Sequence, residues 1–262
     1  DRLAWHRPPW REEAVPAAWG VVHDDGDLLV LDKPAGLPVL PAGGFLEHTV
    51  LRLLERRHRH DSAGVPRPVH RLGRFTTGLL VCARRPASRA WLSALLREST
   101  AALGGCAKVY RALLEPGALP LAPGESLRFV GAIGRRPHPR LGWIWCAASA
   151  VEVEAPGHRP PHPSADLPAC STLTLLERHP AADLVAVAIA SGRPHQIRIH
   201  CAALGAPLLG DPLYDPGGGA RPQALPGQGG YQLQAWRLEL PQPDGGILRL
   251  EAPAPLALPK GP

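Results

Sequence analysis

Along most of the chain apolar residues come in short runs broken by turn residues, and only three segments carry them at helical spacing. In VVHDDGDLLVLDKPAGLPV (21–39) two apolar runs flank a DDGD turn, which predicts a strand, a turn and a strand. HTVLRLLERRHRH (48–60) places Val50, Leu51, Leu53 and Leu54 on one side of a helix and ends in a basic cluster, the charge a helix C-terminus favours. GLLVCA (78–83) reads as a buried strand. Pro86 suits the first position of a helix whose apolar face would hold Trp91, Leu92, Leu95 and Leu96.

CAKVYRALLE (106–115), SLRFVGAI (126–133) and WIWCAASAVEVE (143–154) predict three further strands, and GHRPPHPSADLP (157–168) is too rich in Pro and His to be anything but an exposed loop. CSTLTLLERH (170–179) and DLVAVAIA (183–190) read as paired strands. SGRPHQIRIHCAALG (191–205) then reads as a loop opening a helix, with Pro194 in its first turn and Gly205 past its end. After a glycine-rich loop (215–230), YQLQAWRLEL and ILRLEAP are joined by PQPDGG, a hairpin signal. Strands outnumber helices and hairpins recur, so the expected fold class is α+β: a mixed, largely antiparallel central sheet flanked by helices.

A chain of 262 residues can bury a substantial core, divided here into an irregular arm (1–20), one main domain (21–255) and a tail (256–262). The formal net charge of +6 directs attention to anionic partners, nucleic acid first. Lysine occurs only at Lys33, Lys108 and Lys260, so the positive charge is almost all guanidinium, which forks onto phosphate and stacks on bases. Five scattered cysteines, with no CxxC pair, argue against a disulfide framework or zinc ribbon and fit a reducing, cytoplasmic setting. No apolar run is long enough to span a membrane, and a monomer with no membrane partner is expected. The chain has no methionine, which leaves its natural N-terminus open.

Two segments carry candidate chemistry. In VHRLGRFTTGLLVCAR (69–84), His70, Arg71 and Arg74 crowd a turn beside Thr76 and Thr77, a donor set suited to a phosphodiester backbone and equally to a solvated turn. Arg193, His195 and Gln196 lie at a predicted helix N-terminus, where unpaired N–H groups and the helix dipole favour phosphate. Arg198 is one turn on and can share that face.

Taken in order, the segments resemble the pseudouridine synthase family of the RluA type from about residue 20 to residue 255. LLVLDKPAGLPV is similar to that family's first strand and turn, VHRLGRFTTGLLVCAR to its central catalytic motif, and KVYRALLE to its tyrosine strand. SGRPHQIRIHCAALGAPLLGDPLY is similar to its third motif and LQAWRLELPQPDGGILRLEAP to its closing hairpin. The resemblance implies that 21–255 has the pseudouridine synthase catalytic fold, with no separate N-terminal RNA-binding domain. It implies an isomerase that needs no cofactor or metal and acts on structured rRNA or tRNA. The uridine would be flipped out of its stack, its glycosidic bond broken, and its C5 carbon joined to the ribose. By the same resemblance Tyr110 would pack on the flipped base and assist proton removal, and Arg198 would pair with the catalytic carboxylate. His70, Arg71, Arg74, Thr76, Thr77 and Arg193 would contact RNA, while His195 and Gln196 would brace the third motif.

Two positions depart from the family pattern. Gln234 stands where histidine is common, and Gly73 stands where the family has its catalytic aspartate. Glycine offers neither an attacking atom nor a proton acceptor, although glycosidic cleavage calls for an anion near an oxocarbenium-like sugar. Three expectations follow: a substitute carboxylate from Asp32, Asp61 or Asp211; an RNA-binding relative of impaired activity; or turnover through a bound water and Arg198. Restoring Gly73→Asp is expected to raise turnover. A metal-dependent hydrolase built on His58, His60 and Asp61, with His70, is a remote alternative, because residues two apart at the end of a helix diverge.

Overall fold

The computed structural model describes residues 11–98, 106–149 and 166–258. The expected exposed loop at 157–168 and the end of the strand expected over 143–154 therefore lie mostly outside the described residues. Among the described residues eleven strands form one sheet: β1 (Gly20–Asp24), β2 (Leu28–Lys33), β3 (Arg67–Pro68), β4 (Thr77–Ala83), β5 (Ala107–Leu114), β6 (Ser126–His138), β7 (Gly142–Ala147), β8 (Leu167–His179), β9 (Ala182–Ile189), β10 (Leu233–Pro241) and β11 (Ile247–Glu251). Its main path runs β1-β2-β4-β10-β5-β9-β8-β6-β7, with β11 beside β10 and β3 beside β4. β10 and β4 pair in parallel and the other pairings are antiparallel. The expected mixed, largely antiparallel α+β sheet is the one observed.

Among the described residues three helices cover it: α1 (Val50–Arg57), α2 (Pro86–Glu98) and α3 (Gln196–Ala203). α1 starts where Thr49 Oγ1 accepts the Arg52 N–H, and it buries Val50 and Leu54. α2 buries Leu92 and Leu96, but Trp91, expected on the apolar face, is 38% exposed. A helical stripe includes its edges in the sequence pattern, whereas the sheet covers only the centre. α3 differs from expectation at its start. Pro194 precedes the helix, and the capping residue is His195 in the left-handed region (φ 53°) with no side-chain cap. The helix is buried from Gln196 to Ala202.

The parallel contact of β4 with β10 brings the distant motifs together. Gln234 and Ala235 lie opposite Thr77 and Gly78. Gly78, at φ +92°, sits so close to the Ala235 carbonyl that a Cβ there has no room. On the other side of β10, Ala235 pairs with Tyr110 of β5 at a bulge between Ala235 and Arg237. A bulge bends the strand and re-aims neighbouring side chains. The 69–78 turn, the tyrosine strand and the closing hairpin thus meet in the middle of the sheet, and α3, packed on β6, β7 and β8, brings its first turn to the same place.

Candidate active site

A hollow of about 140 Å³ is lined by Arg71, Gly73, Thr76, Tyr110, Arg198 and Tyr231, with the 189–197 segment closing one side. Tyr110 and Arg198, far apart in the chain, both line it. Arg71, Arg193 and Arg198 make the lining cationic, and no carboxylate lines it among the described residues. The volume is below the roughly 300 Å³ at which pockets for drug-sized ligands begin, a scale that suits one planar base.

The third motif forms a tightly bonded wall. Arg198, 3% exposed, donates from Nε to Asp211 Oδ2 at 2.7 Å and from Nη2 to Oδ1 at 2.6 Å. Asp211 also accepts the N–H groups of Leu213 and, more weakly, Tyr214. The partner of Arg198 is thus a carboxylate from its own wall, which corrects the expectation that it would hold a catalytic one. A buried bidentate pair is fixed by geometry, since either charge left alone would be costly. Gln196 accepts from Ser191 Oγ and the Arg193 N–H and donates to the Cys170 carbonyl and Ser171 Oγ, the bracing role expected of it. His195 bonds Tyr214 Oη at 2.7 Å, and Tyr214 donates to the Trp145 carbonyl at 2.8 Å. Tyr214 has one proton, so His195 Nδ1 is the donor in the first bond. Burial and the nearby Arg198 push the His195 pKa down to about 3, which keeps the imidazole neutral.

The 69–78 turn is held from behind. Lys33 Nζ, 1% exposed, donates to the carbonyls of Pro34, Leu37 and Arg74, and Arg74 Nε donates to the Gly36 carbonyl. Arg74 also pairs with Glu13 at 3.0 Å and stacks over Phe45 and Phe75. It is spent on the arm and the first-strand turn and does not line the hollow. His70 Nε2 accepts the Val81 N–H at 2.9 Å, and burial together with Lys108 lowers its pKa to about 4. A neutral ring bonded to the backbone is a brace and not a cationic contact. Thr76 lines the hollow, whereas Thr77 lines a larger cleft of about 620 Å³ beyond Tyr231 and donates to the Leu233 carbonyl. Arg71 faces the hollow, and so does Arg193, whose Nε donates to the Pro168 carbonyl.

Tyr110 is half-buried between β10 and β9, and burial raises its pKa to about 12. At neutral pH it offers a phenol, not a phenolate. Gln234 is buried and ties the C-terminal segment down through the Ala254 carbonyl and the Leu256 N–H. None of the three candidate substitute carboxylates lines the hollow. Asp211 is locked to Arg198, Asp32 lines the larger cleft, and Asp61 pairs with His58 and Arg84. His58 Nδ1 lies 3.0 Å from Asp61, but no group of three or more His, Cys, Asp or Glu residues able to hold a metal occurs among the described residues.

Tyr231 is the residue that sequence reasoning passed over, reading it only as the first residue of a hairpin strand. It precedes β10 and is 5% exposed. Arg198 lies 4.2 Å from its ring centroid, and Phe75 meets it edge-on at 6.3 Å. The signal available was GGY: two small residues let the chain pass under Phe75, whose ring a Cβ on Gly229 would strike.

Residues 27–203 match the family model described as RNA pseudouridylate synthase. A Synechocystis protein described as an uncharacterized RNA pseudouridine synthase is 42% identical over 239 residues, covering 90% of this chain and 72% of the relative. The ribosomal large subunit pseudouridine synthase D of Nitrosomonas europaea is 34% identical over 251 residues, 93% of this chain and 63% of that protein. Among solved structures, human RNA pseudouridylate synthase domain containing 4 superposes with a TM-score of 0.63 at 22% identity, covering 90% of this chain and 88% of that one, a likeness of fold.

Proposed function

The chain belongs to the RNA pseudouridylate synthase family, enzymes that isomerise uridine in RNA, and we propose that it takes a uridine from structured rRNA or tRNA into the hollow beside Gly73. The observation that carries this reading is the convergence of Arg71, Gly73, Tyr110 and Arg198, from three separate segments, on one base-sized cationic hollow. Arg71 and Arg193 face the hollow and hold the phosphodiester on either side of the extruded nucleotide, a sequence-independent, salt-sensitive contact. Tyr110 packs against the base, replacing part of the stacking lost when it leaves the helix. Arg198, already neutralised by Asp211, keeps the wall rigid and lies over the Tyr231 ring. The ribosomal relative supports rRNA as a substrate, and the site is read as working in a monomer of the cytoplasm.

A second reading has its own support: the hollow has no carboxylate among the described residues, as expected of a relative that grips RNA without turnover. The two are separated by incubating the protein with transcripts of large-subunit rRNA and of tRNA that carry C5-tritiated uridine. Tritium release above a protein-free control is expected. Binding without release would establish the second reading.

A further inference from the structure

The space that the expected aspartate side chain would fill is taken by another side chain. A carbon placed on Gly73 would stand 2.7 Å from Tyr231 Oη and 3.1 Å from Thr76 Oγ1. Heavy atoms do not approach at 2.7 Å without a bond or a hydrogen bond, so a side chain at 73 and this hydroxyl do not both fit in their present places. The backbone does not demand glycine here, because Gly73 lies outside the left-handed region that holds fifteen other glycines. Tyr231 cannot easily move aside, held as it is by Arg198 over its ring and by Phe75 at its edge. Its hydroxyl has no hydrogen-bond partner among the described residues, although the nearby Tyr214 hydroxyl has two. An oxygen that could act chemically therefore stands where the family's carboxylate is missing, in the same hollow as Tyr110 and Arg198.

We propose that Tyr231 is the catalytic residue of this enzyme, with Oη as the atom that captures the ribose. The inference rests on the uridine-isomerising reading above. Tyrosine serves as the nucleophile toward an oxocarbenium-like sugar in some glycosidases, so the chemistry lies within the reach of a phenol. A lone pair on Oη forms a bond to C1′ as the C1′–N1 bond breaks. The N1 bonding pair stays with the uracil, which takes up the phenolic proton at N1. The freed base turns within the hollow. C5 then bonds to C1′ as the Oη–C1′ bond breaks and returns its pair to Oη. The C5 hydrogen leaves as a proton and restores the phenol. No oxidant, reductant or co-reactant is needed, and two inversions at C1′ retain its configuration.

The test compares wild type, Tyr231→Phe and Gly73→Asp/Tyr231→Phe on C5-tritiated rRNA and tRNA transcripts, reading the single-turnover release rate and, separately, the RNA dissociation constant. Phenylalanine keeps the ring packing, so affinity should change by less than about threefold while the rate falls by at least about 10³-fold. The double variant should recover rate, since removing the hydroxyl leaves the nearest Tyr231 ring carbon 3.9 Å from the new side-chain carbon. A Tyr231→Phe rate within about tenfold of wild type would overturn the inference and leave the uridine-isomerising reading intact. An inert wild type beside an active double variant would also overturn it, by identifying Tyr231 as a block on an otherwise competent pocket. If all three bind RNA and none releases tritium, both the inference and the isomerising reading fail.

Discussion

The two walls of the hollow are built on opposite principles. The wall carrying Arg198 is over-determined, with a bidentate ion pair, backbone N–H groups on Asp211, a four-bond glutamine and the His195–Tyr214–Trp145 chain. The wall carrying Gly73 is braced from behind, by Lys33, His70 and Arg74, and presents Arg71, Thr76 and the bare backbone of Gly73 to the pocket. Arg193 and Arg198 stand on the rigid wall, whereas Arg71 stands on the other, beside the position that lacks a side chain. A binding scaffold can therefore stay fixed while the reacting group is exchanged, provided the exchange happens where few bonds depend on it.

The largest blow to this contrast should come from Asp211→Ala. It strands a buried guanidinium and should cost about 3–5 kcal/mol of unfolding free energy, read by urea denaturation. A cost below about 1 kcal/mol would mean that the wall is not held by this pair.

Acid should act next, through histidines of both walls. Burial lowers the pKa of His195 to about 3 and of His200 to about 4, and burial together with Lys108 lowers that of His70 to about 4. Below an unfolded-state value of about 6.5 the unfolded chain binds protons that the folded chain refuses. The stability conferred by three neutral rings is thus complete above that pH and is lost as pH falls toward 4. The melting temperature should drop steadily across that window. His200→Asn should flatten the slope, and an unchanged slope would show that the ring is not neutral in the fold.

The smallest stability effects should come from the cationic lining. Arg71→Ala should leave unfolding within about 0.5 kcal/mol of wild type. It should nevertheless weaken RNA binding on all sequences alike and reduce the slope of log K against log salt by about 0.7–0.9. Arg74→Ala, by contrast, should leave that slope unchanged, because Arg74 serves the arm and not the hollow.

The elements were largely legible in the sequence because turn residues punctuate them: DDGD, PQPDGG and Pro86 each mark an observed boundary. The helix start at 194–196 was misread, because proline before a left-handed His195 looks in sequence like proline in a first turn. The site was legible where a motif is local, as with Gln196 bracing its own turn. It was illegible where a residue's meaning lies in a distant contact. Arg198 finds Asp211 thirteen residues on. The Gly73 position is crowded by Tyr231, which precedes β10, the strand beside β4. That steric relation also revises the expectation for Gly73→Asp. Alone it drives a carbon against Oη and should not raise turnover.

The most direct measurement of the central claim, that Tyr231 and a side chain at position 73 compete for one space, needs no RNA. It is a double-mutant cycle of Gly73→Ala and Tyr231→Phe read by urea denaturation. Gly73→Ala should cost about 1–3 kcal/mol beside tyrosine, the scale of overpacking, and little beside phenylalanine, giving a coupling of at least about 1 kcal/mol. Equal costs in the two backgrounds would contradict the account.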